Sequence, residues 1–248
     1  MCGEVPRTLI KVTLKDVNVD DFKGAVLVTG FRTIGEVGYL ATRHLALSPG
    51  FSRVGFIETK KMRDVAFVDD YGLATPFELF FNRESKILVV LNHLLPHQSE
   101  WTTFTKGLVD WAIKHGVSEG IFVGGLDSRY SDGKSKIRWL KTSKSVRSLN
   151  YPYMEKQLLI VGPLALVTIY SEVLGFPATV LLPYSDKDRP DPAAAAIAVE
   201  VINEMLGTKF DASKLYEEAR KLEEELQKQM EILQRELMQP SGSGRIYM

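Results

Sequence analysis

Apolar positions along this chain follow two rhythms. Short continuous runs bounded by glycine or charge predict buried strands at residues 25–29, 53–58, 65–68, 77–81, 86–91, 120–123 and 178–182. Recurrence every three or four residues predicts helices at 37–47, 100–115, 164–174 and 192–206. The last of these opens with Asp191 as N-cap and Pro192 in the first turn, where a missing N–H costs nothing. Strands alternating with helices predict an α/β fold with an open, largely parallel sheet covered by helices on both faces.

From Asp211 onward the pattern changes. Leu215, Ala219, Leu222, Leu226, Met230, Leu233 and Leu237 recur at three- and four-residue steps among many charges, and Gln239-Pro240 ends the run. This predicts one long amphipathic helix. Its apolar stripe is too narrow to stand free in water, so it packs on the α/β body or on copies of itself, and a homo-oligomer is the expected outcome. The chain thus divides into an α/β domain at 1–210, the helix at 211–238 and a flexible tail at 239–248. The tail carries Ile246, Tyr247 and Met248 behind a Ser/Gly-rich tether of about 20 Å reach. An aliphatic group, a tyrosine and a carboxylate in that order make a plug that a socket on another protein can bury. An ordinary chain end would carry the same residues by coincidence.

Composition narrows the function classes. The chain has 248 residues, 45% of them hydrophobic, enough for one large core. Its 31 basic and 31 acidic residues cancel, which disfavours a dedicated nucleic-acid role. Cys2 is the only cysteine, so no intrachain disulfide and no cysteine-based zinc site is expected. Charges interrupt every long apolar stretch, and a cytoplasmic location without membrane contact is expected.

The candidate chemistry is sparse. The glycine-rich segment 30–38 joins a strand to a helix, as phosphate-cradling loops do, but lacks the lysine of a P-loop and the spacing of a dinucleotide fingerprint. It is either a weak ligand loop or a tight turn with close backbone packing. Gly124-Gly125 after a strand allows the same two readings. His93 and His97 bracket Pro96 at a strand end, where a metal pair is conceivable, but Pro96 breaks any single helix carrying both, and loop histidines are the simpler reading. His44 and His115 lie on predicted helices as structural residues. Asp69-Asp70 offers a cation site, and Ser128 beside Asp127 a nucleophile, without a recognisable motif around either. No catalytic residue, cofactor or metal is assigned. Between 127 and 150, Arg129, Lys134, Lys136, Arg138, Lys141, Lys144 and Arg147 meet only Asp127 and Asp132. This basic insertion reads as a solvated excursion or as a loop or hairpin that contacts an acidic surface.

Taken in order, several of these segments resemble the proteasome assembly chaperone 2 family, its archaeal members in particular. They are the glycine loop from Gly30-Phe31 to Gly38-Tyr39-Leu40, His93-Leu-Leu-Pro96 before Trp101, Gly124-Gly125, Gly162-Pro163-Leu164, Gly175-Phe176-Pro177 and Asp191-Pro192 with its alanine run. The resemblance implies a topology related to nucleoside phosphorylases without their catalytic set, and an ATP-independent, non-enzymatic oligomer that assists proteasome assembly or opens its gate. It also implies that the tail docks between α-subunits of the 20S core as a hydrophobic-Tyr-X motif. Ile246 would then fill an apolar groove, Tyr247 would displace backbone near the gate, and Met248 would offer its carboxylate to a pocket lysine. Two other readings remain open. One is a nucleoside- or phosphate-binding hydrolase or transferase that uses 30–38, Gly124-Gly125 and His93. The other is a scaffold that acts through the basic insertion and the long helix.

Overall fold

A computed structural model describes residues 10–238, with side chains described through Ile232. Eleven strands and five α-helices follow one another as β1 (Lys11–Leu14), β2 (Val26–Gly30), α1 (Val37–Ala46), β3 (Phe51–Glu58), β4 (Phe67–Asp69), β5 (Gly72–Ala74), β6 (Phe77–Asn82), β7 (Ile87–Asn92), α2 (Trp101–Lys114), β8 (Glu119–Val123), β9 (Leu126–Asp127), β10 (Ile137–Lys141), α3 (Gly162–Val173), β11 (Ala178–Ser185), α4 (Pro192–Leu206) and α5 (Ser213–Met238). The main sheet runs β1-β3-β6-β7-β2-β8-β11-β10, with β9 beside β11, and β4 and β5 form a separate hairpin. Its centre, β7-β2-β8-β11, is parallel, as expected. Antiparallel strands flank it: β6, β3 and β1 on one side and β10 on the other.

The central strands read as unbroken apolar runs because both of their faces are buried. Leu27, Leu79, Leu88, Val90 and Phe122 point to a core shared with Phe104 and Leu108 of α2 and with Leu164 and Val167 of α3. Val28, Val89, Ile121 and Val123 point the other way, to Leu45 of α1, Ala195 and Val199 of α4 and Leu215 of α5. Asp191 caps α4 as expected, its Oδ1 accepting from Ala194 N at 2.9 Å, and Gly207 ends that helix in the left-handed region at φ 67°. The small side chains Ala194, Ala195, Ala196 and Ala198 are all buried, so α4 lies close on the sheet and on α1.

The basic segment departs from the solvated excursion expected of it. Ile137 and Trp139 are buried, and β10 pairs with β11 along its full length. Arg138 is buried between Asp132 (3.0 Å) and Glu155 (2.7 Å), while Arg147 holds Glu119 at 3.0 Å and Met205 O at 2.6 Å. Much of the positive charge therefore ties the insertion to the body. Among the described residues, no helix is long and apolar enough to cross a membrane.

Candidate functional site

Open α/β sheets place ligands at the carboxyl ends of their parallel strands, so the ends of β2, β7, β8 and β11 come first. Here β2 stops at Gly30, and the segment before α1 folds back over the sheet. A Cβ on Gly30 would lie 2.5 Å from Gly38 Cα, and one on Gly38 would collide with Val123 O. Both glycines are needed so that α1 can sit directly on β2 and β8. Gly124 and Gly125 are taken up in the same way by Leu164 and Ile34. Gly35 O accepts from Asp191 N at 2.9 Å, which ties the loop to the start of α4. Of the two readings of the glycine loop, close backbone packing describes these contacts.

Beside this edge lies a polar cluster that pattern reading missed. Glu78 of β6 and His93, just past β7, are both fully buried on the α1 side of the sheet. Glu78 Oε1 accepts from Arg53 Nη1 (3.1 Å) and Thr75 N (3.0 Å). Its Oε2 faces His93 Nε2 at 3.2 Å and accepts from the Tyr71 hydroxyl. His93 Nδ1 lies 3.4 Å from the Tyr39 hydroxyl. The Tyr71 oxygen also lies 2.8 Å from His93 Nε2, and one set of protons satisfies the cluster: Tyr71 O–H donates to Glu78, Nε2–H donates to the Tyr71 oxygen and Glu78, and Nδ1 accepts from Tyr39. Burial pushes the Glu78 carboxyl up, but hydrogen bonds from His93, Tyr71 and Thr75 N outweigh it and hold the group below its ordinary value. Burial, then the bond to Glu78, raises the Tyr71 phenol well above its usual range.

The β4–β5 hairpin covers this cluster. Phe67 stands edge-on to the His93 ring at 4.9 Å, and Arg53 Nη1 donates to Leu73 O at 2.5 Å. Arg43 of α1 reaches across to Asp69 (Nε to Oδ2, 3.1 Å) and Asp70 (3.1 Å). Its hydrogen bonds hold the Asp69 carboxyl below the ordinary value against the opposing effect of burial. The Asp69-Asp70 pair considered as a cation site thus serves as an acceptor for Arg43.

The remaining candidates are placed separately. His97 is exposed and accepts from Ser99 N, well apart in role from the buried His93. His44 Nε2 contacts Asp211 O at 2.7 Å, joining α1 to the start of α5, and the His115 ring packs at a tilt against Trp111 with centroids 5.0 Å apart. Asp127 caps the turn beside Ser128 and binds Arg129, which lowers its carboxyl to about 2. Among the described residues, no group of three His, Cys, Asp or Glu is arranged to hold a metal ion.

Among the described residues, α3 and α5 both carry exposed apolar side chains. Ile169 and Val173 (72%) are exposed on α3, as are Leu159 (79%) and Val161 in the segment that leads into it. On α5, Leu215 is buried in the body and the Tyr216 hydroxyl donates to Glu200 at 2.9 Å. Ala219, Leu222 and Leu226 are only half-buried, and Met230 and Ile232 are 62% and 56% exposed. The side chains of Leu233 and Leu237, and the segment containing Ile246, Tyr247 and Met248, lie outside the described residues.

No curated protein matches this sequence. Among solved structures, Pyrococcus furiosus PbaA, described as an archaeal homolog of proteasome-assembly chaperone, aligns over 92% of this chain and 95% of its own with TM-score 0.76 and 23% identity. PbaB of the same organism, described as an archaeal proteasome activator, aligns over 88% of this chain and 98% of its own with TM-score 0.73 and 20% identity. A Thermoplasma acidophilum protein of unknown function aligns over 88% and 92% with TM-score 0.70 and 18% identity. These likenesses establish the fold. The profile of the PAC2 family matches residues 27–230, most of the sequence, and the chain belongs to the PAC2 family.

Proposed function

We propose that this protein is an ATP-independent, homo-oligomeric partner of the 20S proteasome core, acting as an assembly chaperone or a gate-opening activator. The observation that carries the reading is PAC2 family membership, supported by a fold shared with PbaA, an archaeal homolog of proteasome-assembly chaperone, and PbaB, an archaeal proteasome activator. Docking is assigned to Ile246, Tyr247 and Met248, which follow α5 at the end of this sequence. The packed glycine loop also favours a binding role over phosphate chemistry at that edge. A three-residue plug buries little surface and binds weakly, in about the micromolar to millimolar range, so several tails on one oligomer are needed for useful avidity.

The test is a pull-down of purified archaeal 20S core by the full-length protein and by a chain ending at Arg245, with hydrolysis of a fluorogenic peptide followed alongside. Binding lost on truncation supports tail docking, and faster hydrolysis adds gate opening. Equal binding by both chains overturns the assignment to the tail. Absence of binding by either overturns a role on the mature core.

A further inference from the structure

Just before α3 the chain makes a short run that belongs to no sheet. Leu158, Leu159, Ile160 and Val161 alternate in burial: Leu158 and Ile160 pack against the core shared with α2 and α3, while Leu159 and Val161 are 79% and 68% exposed. A period of two marks extended backbone with one buried face. Two left-handed residues bound the run. Gln157, at φ 70°, turns the chain into it as Leu158 N donates to Glu155 O at 3.4 Å, and Gly162, at φ 76°, turns it out into α3. Val161 itself is extended, at φ −128° and ψ 164°.

Among the described residues, no group of the protein bonds to the N–H of Leu159, Ile160 or Val161, or to the carbonyl of Leu158, Leu159 or Ile160. Extended backbone that pairs with no strand of its own is a template for one that arrives from outside. Successive residues present these groups to opposite edges, so an added strand takes up about half of them, with Leu159 and Val161 as its cross-strand neighbours. A pocket of about 300 Å³ opens at the start of the run, lined by Tyr130, Glu155, Lys156, Gln157 and Leu158. It has room for a large side chain, and Tyr130, 59% exposed, and Leu158 make part of its wall apolar. Main-chain bonds hold an added strand, and pockets for its side chains select it.

The charge around the pocket indicates the partner. Arg129 is engaged by Asp127, and Arg138 by Asp132 and Glu155. Lys134, Lys136 and Lys156 are exposed and form no ion pair among the described residues. Lys136, two residues before Arg138, points to the side of the sheet on which Arg138 meets Glu155. Basic side chains outnumber acidic ones here, and the lysines are the ones left free, so the surface complements negative charge. We infer that residues 158–161 are a recognition edge for an extended, acidic segment of a partner protein, which adds as a β-strand and places one side chain in the pocket beside Tyr130. Because the run belongs to no sheet, pairing here leaves β10 and its neighbours as they are. The site makes no use of the C-terminal tail.

The probe is a fluorescein-labelled peptide with a valine-phenylalanine-valine centre and two glutamates at each end, added to the full chain and followed by anisotropy. It should bind with a dissociation constant in about the micromolar to millimolar range, and a peptide with lysines in place of the glutamates should bind roughly tenfold more weakly. Lys136→Glu together with Lys156→Glu should reverse that preference. Leu159→Lys and Tyr130→Ala, both at exposed positions, should each weaken the acidic peptide roughly three- to tenfold. With the acidic peptide bound, amide exchange followed by NMR should slow at alternate residues of 158–161. N-methylation of the peptide along one edge should abolish binding, and along the other should leave it. Binding that survives methylation of either edge, or unchanged exchange at 158–161, overturns strand addition. Equal binding of the lysine peptide overturns the acidic partner, and no binding of either peptide overturns the site. None of these readouts involves the proteasome, so their failure would leave the outcome of the tail truncation standing.

Discussion

Glu78 Oε2 and His93 Nε2 face each other at 3.2 Å beneath the β4–β5 hairpin, both side chains closed off from solvent. A buried carboxylate is tolerated only where donors converge on it, and here Arg53, Thr75 and Tyr71 complete the set. Glu78→Gln keeps the volume but leaves Arg53 without its anion and His93 with a weaker acceptor. The expected cost is about 2–3 kcal/mol, measured by urea unfolding; the Arg53 side chain retains some water, which keeps the loss below that of a fully buried pair.

Acid should destabilise the protein for the same reason. The Glu78 and Asp69 carboxyls have folded values below their unfolded ones, so their contribution is complete above about pH 4.5 and is lost as pH falls through the folded values. Asp127, held near 2 by Arg129, extends the loss toward pH 2. Thermal midpoints recorded between pH 6 and pH 2 should fall steadily, and the Glu78→Gln variant should show a shallower fall than the wild type.

Arg43 is the latch between α1 and the hairpin. Arg43→Ala should leave the global midpoint within about 1–2 kcal/mol of wild type, because the ion pair is partly exposed. Amide hydrogen exchange at residues 67–74 should nevertheless rise severalfold, and unchanged protection there would show that Phe67 and Tyr71 hold the hairpin without it.

At the start of α4, Asp191 accepts from both Ala194 N (2.9 Å) and Asp186 N (3.2 Å). Asp191→Ala should cost about 1–2 kcal/mol in chemical denaturation, with Asp191→Asn intermediate.

Trp139 tests whether the basic segment is structural. Its ring is buried and its Nε1 donates to Tyr151 O at 2.8 Å, so Trp139→Ala should cost about 3–5 kcal/mol by urea unfolding. A solvated loop would lose less than ~0.5 kcal/mol.

Much of the scaffold was legible because burial on both faces leaves a plain sequence mark. The runs that became β2, β7 and β8 are apolar without alternation, and the Asp191-Pro192 start of α4 is a local signal that tertiary packing did not override. β10 was missed because Arg138 and Lys141, which suggest solvent, spend their charge inside the molecule on Asp132, Glu155 and Arg147 O. Ile137 and Trp139, on either side of Arg138, were the available clue. Glu78 was missed because a single carboxylate in a strand normally marks its wet face, and only the fold brings Arg53, Tyr71 and His93 around it. The glycine loop announced a close approach without revealing whether the visitor was a ligand or Val123 of the same chain.

The segment after β10 has a consequence for assembly. Tyr153 forms a parallel bridge with Trp139, and Met154 N donates to Trp139 O at 2.9 Å. At Trp139, the middle of the strand, the outer rim of β10 is thus already occupied by the chain's own backbone. Adding a foreign strand there would first require peeling this segment away, so on this flank the sheet cannot grow from one molecule into the next. Copies that meet on this side must do so through side chains, a contact that can be tuned residue by residue and released without unravelling the fold.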